Sequence, residues 1–197
     1  MTEPTRNEIA VPTGYRSREA GLFLAQLDDQ SRRLAEATRG ISPAELGWQP
    51  APGMNTIGML LAHLAIVEVW WTGRVLLDRE EVESQSVLGI GIDGDGMPIA
   101  EDGTPPAGLA GRAIDFYDDL LDRARAHLKQ HAQKLGDADL ERTVIRTRPS
   151  GEKRSITVRW TLYHILEHFA GHFGQILLLR HQYRVAQGAA ENPASVR

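Results

Sequence analysis

The sequence contains no cysteine. This absence excludes disulfides, thiolate metal ligands and a cysteine nucleophile, so any thiol used here must come from a separate molecule. The first residues lack a basic segment followed by an apolar core, so we expect no signal peptide. The longest apolar run, residues 57–71, is too short for a transmembrane helix. We therefore expect a cytoplasmic protein with no membrane partner.

An excess of positive charge is also missing. The formal net charge is -4, and the 22 Lys and Arg residues are scattered without a basic run. We therefore expect no nucleic-acid partner. The 197 residues, with 42% hydrophobic and 24% charged residues, fit one ordinary globular domain over residues 1–197.

Four segments have the length and apolar period of α-helices. Three of them are followed by a glycine, a residue that commonly ends a helix, and Asn55 or Thr56 can cap the second. The predicted helices cover about residues 16–39, 56–78, 109–135 and 159–187. Four long helices in one short chain favour an all-α four-helix bundle, whose core commonly holds metal sites on facing helices.

Two stretches do not fit helices. Two β-rich runs flank Pro149-Ser150-Gly151, which predicts a small β-hairpin at about residues 142–158, between the third and fourth helices. Residues 79–108 are rich in Gly, Asp and Pro, and loops of this length are usually functional or mobile. Within them, Asp93-Gly94-Asp95-Gly96 fails the EF-hand pattern, so we interpret these residues as turn formers rather than a calcium site.

The most informative motif is a set of three histidines, His164, His168 and His172, spaced by four in the fourth helix. They span roughly 12 Å at about 1.5 Å per residue, too far for all three to reach one ion. At roughly 100° per residue, His172 lies nearest the apolar face of the helix, His168 next and His164 farthest. His168 and His172 are therefore the predicted pair of metal ligands.

A third ligand is expected from the second helix. His63 shares an apolar stripe with Leu60, Leu64 and Val67, so its side chain should point inward. A buried imidazole needs a polar partner or a metal, because burying it unpaired costs free energy. An ordinary hydrogen-bonded core histidine is the alternative. Glu68, on the flank of the stripe, is either an acceptor for a histidine ligand or a surface charge.

A rival pair, His127 and His131, lies four residues apart on the third helix. Lysines and glutamines surround both, which favours a solvated face over a second metal site. A purely structural bundle with buried histidines also remains possible at this point.

Two segments carry a family resemblance. Residues 59–64, Met-Leu-Leu-Ala-His-Leu, followed by Glu68-Val69-Trp70-Trp71, resemble the second helix of the DinB/YfiT-like superfamily. Residues 164–176 resemble its terminal helix, with the pattern H-x3-H-x3-H-x-G-Q-I. The likeness extends to Trp48-Gln49-Pro50 and to the end of the 79–108 loop, and these motifs resemble those of the DUF664-type members.

The resemblance implies a four-helix bundle, often a homodimer, that holds a divalent metal, usually zinc or nickel, with three side chains. By position these are His63, His168 and His172. Phe173 departs from the pattern, since many members carry Arg there. Members with an assigned reaction are mostly thiol-dependent transferases or isomerases that use mycothiol or bacillithiol.

A site of three histidines leaves a coordination position for water or substrate. The expected function is therefore that of a metal-dependent thiol S-transferase, which joins a small-molecule thiol to a small electrophilic substrate. Trp70, Trp71 and the 79–108 loop are expected to shape the pocket mouth. The alternatives are a non-catalytic metal-binding or stress-response protein and a metal-dependent hydrolase.

Overall fold

A computed structural model of the chain describes residues 8–81, 83–147 and 150–191. Four long helices form the bundle: α3 packs against α5 and α7, and α1 packs against the same two helices. In chain order the helices are α1 Arg18–Thr38, α2 Pro43–Leu46, α3 Ile57–Trp71, α4 Ser84–Leu88, α5 Ile114–Ala132, α6 Asp137–Leu140 and α7 Val158–Glu191. The predicted all-α bundle with a small hairpin is confirmed.

Helix α3 is the central helix of the core. The Thr56 side chain caps it by accepting a hydrogen bond from the Met59 amide at 3.1 Å. The helix continues as a π-helical turn, Thr72–Leu76, so the apolar segment Ile57–Leu76 has 20 residues and a mean hydropathy of 1.3. This segment is longer than the apolar run of residues 57–71, and by length and composition alone it could cross a membrane. However, 72% of its most apolar stretch is buried inside the protein, as in a core helix.

Two of the predicted helix boundaries differ from those in the structure. Helix α5 begins at Ile114 rather than near residue 109, because Gly111 has φ +68° and separates it from a 3₁₀ turn, Ala107–Leu109. Helix α7 runs through Gly188 to Glu191 instead of ending near residue 187. The loop 79–108 contains the short helix α4, whose Leu88 is buried in the core.

The β-hairpin is confirmed and fixes the start of α7. Strands β1 Thr143–Thr147 and β2 Lys153–Thr157 pair antiparallel, with buried Val144 opposite buried Ile156. Its predicted turn at Pro149 lies partly outside the described residues. Helix α7 begins directly after Thr157, and the Thr157 hydroxyl accepts a hydrogen bond from the Trp160 amide at 3.1 Å. The hairpin therefore lies beside the first turns of α7.

Candidate metal centre

The structure brings His63, His168 and His172 together between α3 and α7. One ring nitrogen from each lies within 4.8 Å of the others. The Nε2 atom of His168 is 3.1 Å from Nε2 of His63 and 3.0 Å from Nε2 of His172. Nitrogens about 2.0–2.1 Å from a tetrahedral ion are separated by about 3.3 Å, so this spacing is close to that of a ligand set.

The facing of α7 follows the predicted helical period. Five apolar side chains are buried along one stripe: Leu162, Ile165, Phe169, Phe173 and Ile176. The rings of His168 and His172 lie half-buried at the margin of that stripe, where they meet His63 from α3. Phe173 belongs to the core, so it offers no cation at the position where the resemblance implies Arg.

His164 lies outside the cluster. Its ring stacks on Trp160 with centroids 4.7 Å apart and planes 9° apart, and its centroid is 5.9 Å from that of His168. The prediction that one of the three spaced histidines is a neighbour of the site agrees with this placement.

Hydrogen bonds at the far side of two rings fix their orientation. His63 Nδ1 lies 2.7 Å from Asp95 Oδ2, and His172 Nδ1 lies 2.7 Å from Gln175 Oε1. Both oxygens are acceptors, so each Nδ1 carries the proton and each Nε2 presents a lone pair to the centre of the cluster. Such partners are typical of histidines that ligate metals.

The Nε2 lone pairs of His63 and His172 indicate whether the cluster suits a cation. Both face Nε2 of His168, and one hydrogen on His168 cannot serve two acceptors equally well. Burial, and then the neighbouring His172, His63 and His164, lower the pKa of His168 to about 3. Burial also lowers the pKa of His172. At neutral pH both rings are therefore neutral, the form in which imidazole binds a metal, and the cluster fits a divalent ion.

Sequence reasoning assigned no role to Gln175 and missed Asp95. Asp95 is 3% exposed, and its second oxygen accepts a hydrogen bond from the Met97 amide at 3.0 Å. Two turns hold it in place, because the Gly94 amide donates to the Gly91 carbonyl and the Gly96 amide to the Asp93 carbonyl. The predicted turns are present, and they also position the buried Asp95 carboxylate next to His63. The signal was an acidic residue between two glycines in an unusually long loop.

Gly96 is required where it stands. Its φ of +68° lies in the left-handed region, and an added Cβ would come within 2.4 Å of the Pro106 ring. Any side chain here would therefore displace the turn that positions Asp95.

Glu68 has neither of the two roles expected for it. It is 2% exposed, and its oxygens accept hydrogen bonds from Arg125 Nε at 2.7 Å and Nη2 at 3.1 Å. A third bond, 2.8 Å long, joins Arg125 Nη1 to Asp28 on α1. The carboxylate thus belongs to a buried ion pair that links α3, α5 and α1, rather than to the histidine cluster.

The rival histidine pair does not join the site. His127 and His131 contact each other with ring centroids 4.8 Å apart. Both are half-buried rather than fully solvated, and burial lowers the pKa of each. The expected solvated face is therefore only partly correct.

Asp95→Asn should weaken binding of a divalent metal about 10–100-fold, the usual cost of removing an outer partner of a histidine ligand. The amide keeps a neutral oxygen for His63 but loses the charge that makes the ring a stronger donor to a cation. Competition with a coloured chelator measures the affinity. Asp93→Asn is the matched control, since Asp93 is an exposed residue of the same loop. Equal affinity of the two variants would contradict a role for Asp95.

Fold and site together define a DinB-like helical bundle with a three-histidine group between two of its helices. A family model described as mycothiol-S-transferase matches residues 22–185. The chain belongs to this family.

A solved structure supports the fold. The crystal structure of a conserved protein from Enterococcus faecalis is similar with a TM-score of 0.59 and 16% sequence identity, over 81% of this chain and 93% of that one. At this identity the likeness concerns the fold alone. The search of curated proteins found no match.

Proposed function

We propose that this protein is a metal-dependent thiol S-transferase in which His63, His168 and His172 hold a divalent ion, zinc or nickel by the family pattern. The observation that carries the proposal is the convergence of three Nε2 atoms in a member of the mycothiol-S-transferase family. Three protein ligands leave a position open, as in catalytic rather than structural zinc sites.

The thiol is a separate molecule, because the chain has no cysteine. A bound divalent ion supplies positive charge that favours the thiolate near neutral pH. In the transfer, the sulfur forms a bond to the electrophilic carbon, and the leaving group departs with its bonding electron pair. The thiol proton passes to solvent.

The protein's own contribution is to orient the site. Asp95 and Gln175 hold two of the three rings by their Nδ1 atoms, so the Nε2 atoms face one point before any ligand arrives. Such preorganisation lowers the free-energy cost of assembling the site. The homodimer that the resemblance implies and the cytoplasmic location that we expected from the sequence stay predictions.

Conjugation assays test the proposal directly. Protein loaded with zinc or nickel is incubated with mycothiol and monobromobimane, and the thioether product is quantified by mass spectrometry. Bacillithiol and glutathione serve as comparison thiols. We expect the loaded protein to conjugate at least one of these thiols faster than the reaction without protein. His168→Ala should lose that acceleration. Stoichiometric metal without any acceleration, for all three thiols and several electrophiles, would reject the transferase in favour of a metal-binding protein.

A further inference from the structure

A large cavity lies beside the histidine cluster, between the hairpin and the bundle. Its volume is about 960 Å³, at the upper end of the range for small-molecule sites. Its walls come from the end of α3, the π-helical turn, both hairpin strands and the first turns of α7. Trp70 and Trp71 lie in it as expected, whereas the hairpin takes the place that we expected for the 79–108 loop. That loop instead borders a smaller neighbouring cavity that shares Trp70 and Arg74.

Three tryptophans give the cavity an aromatic wall. The Trp71 ring lies 5.6 Å from Trp160 and 4.7 Å from Trp70, in each case edge to face. Trp160 stacks in turn on His164, which also lines the cavity. Aromatic side chains in this arrangement offer faces and edges on which a planar ring packs well.

Positive charge lines the same space. Arg74, Arg146, Lys153 and Arg154 all border the cavity, and no carboxylate stands among the described residues that line it. Neutral lining residues on β1 and β2 complete the wall. Four cations around one space of this size create a potential that favours an anion.

Carboxylates outside the cavity pair with three of these cations but do not cancel them. Arg146 contacts Asp78, Arg74 contacts Glu80, and Arg154 contacts Glu152. The side chains of these three carboxylates are 56%, 85% and 51% exposed. The Arg154 side chain is itself 49% exposed, and an exposed pair contributes only about 0–1 kcal/mol, so Arg154 remains available to a ligand, as does the exposed Lys153. Arg74 and Arg146 are 18% and 14% exposed and also donate to backbone carbonyls, so they contribute positive charge to the wall from fixed positions.

The cavity adjoins the candidate metal centre through a single ring. His164 lines the cavity, and its ring centroid is 5.9 Å from that of His168. A molecule held among the tryptophans is therefore separated from the histidine cluster by the width of one ring, that of His164.

We propose that this cavity binds the electrophilic substrate and that this substrate is an aromatic anion, a planar ring carrying a carboxylate. The ring packs against Trp70, Trp71 and Trp160, and the carboxylate lies near the cations of the hairpin. This assignment rests on the proposed transferase function for its role as substrate, but the binding itself requires neither thiol nor metal.

The NMR signals of the tryptophan indole N–H groups report the binding directly. The chain has four tryptophans; three line the cavity, and Trp48 packs on Tyr183 elsewhere. Uniformly ¹⁵N-labelled protein, treated with chelator to exclude carboxylate–metal contacts, is titrated with 2-naphthoate and with neutral 2-naphthalenemethanol. We expect 2-naphthoate to shift the three cavity signals and spare that of Trp48, and to bind roughly tenfold more tightly than the alcohol at low salt.

Charge variants separate the anion site from simple apolar binding. Lys153→Gln/Arg154→Gln should reduce 2-naphthoate affinity about tenfold and leave 2-naphthalenemethanol unchanged. The matched control is Arg33→Gln/Lys134→Gln, which removes two exposed charges outside the cavity lining. Equal affinity for acid and alcohol, no shift of the three signals, or equal affinity of the two double variants would overturn the proposal.

The outcome is independent of the transferase assay. Binding of 2-naphthoate by chelated protein without any thiol conjugation would reject the transferase and keep the anion site. Conjugation of a neutral electrophile without 2-naphthoate binding would do the reverse.

Discussion

His168→Ala should abolish stoichiometric binding of a divalent metal, and His164→Ala should leave it intact. Nε2 of His168 is 3.1 Å from Nε2 of His63 and 3.0 Å from Nε2 of His172, so its removal leaves only two histidine ligands at the site. Since even the loss of an outer partner costs about 10–100-fold in affinity, the loss of the central ligand should cost more than about 100-fold. His164 faces the cavity instead and stacks on Trp160.

Elemental analysis after dialysis against a dilute metal buffer measures the stoichiometry of both variants. Circular dichroism establishes that each remains helical, so that a lost site is distinguished from a lost fold. Metal retained by His168→Ala, or lost from His164→Ala, would show that the wrong pair of α7 histidines has been assigned.

Glu68→Ala should lower the free energy of unfolding by about 3–5 kcal/mol, because it leaves Arg125 buried with only Asp28 as a partner. Arg125 is 8% exposed, whereas the side chain of Asp28 is 41% exposed, so the remaining pair is partly screened by water. This loss is a large fraction of the 5–15 kcal/mol typical of a folded domain.

Urea denaturation of chelated protein measures the change without a contribution from bound metal. Glu68→Met/Arg125→Met is the matched control, since it removes both charges and should recover most of the loss. A double variant as unstable as Glu68→Ala would show that side-chain shape, rather than an unpaired buried charge, causes the effect.

The members of the histidine cluster could be predicted because helical geometry determines which histidines of each helix face inward. A step of about 100° per residue determines which of the α7 histidines approach the apolar face, and the same rule turns His63 inward from α3. The hairpin could also be predicted, since two β-rich runs on either side of a turn form few structures other than a hairpin.

The residues that were missed depend on contacts between distant segments. Asp95 reaches His63 from 32 positions away through a loop, and no period relates the two. Glu68 meets Arg125 across 57 positions, so its own facing could not reveal whether it would be paired or solvated. The start of α5 was missed for a local reason, because the left-handed Gly111 interrupts an otherwise apolar period.

The two helices that supply the histidines also have a consequence for the lifetime of the folded chain. His63 and His168 are 105 positions apart, so an ion between them would close a long loop of the polypeptide much as a crosslink does. An ion supplied at about 100 times its dissociation constant would add about 2.7 kcal/mol to the free energy of unfolding. Starving cells of the metal would then shorten the survival of the protein itself against proteases, in addition to silencing its site.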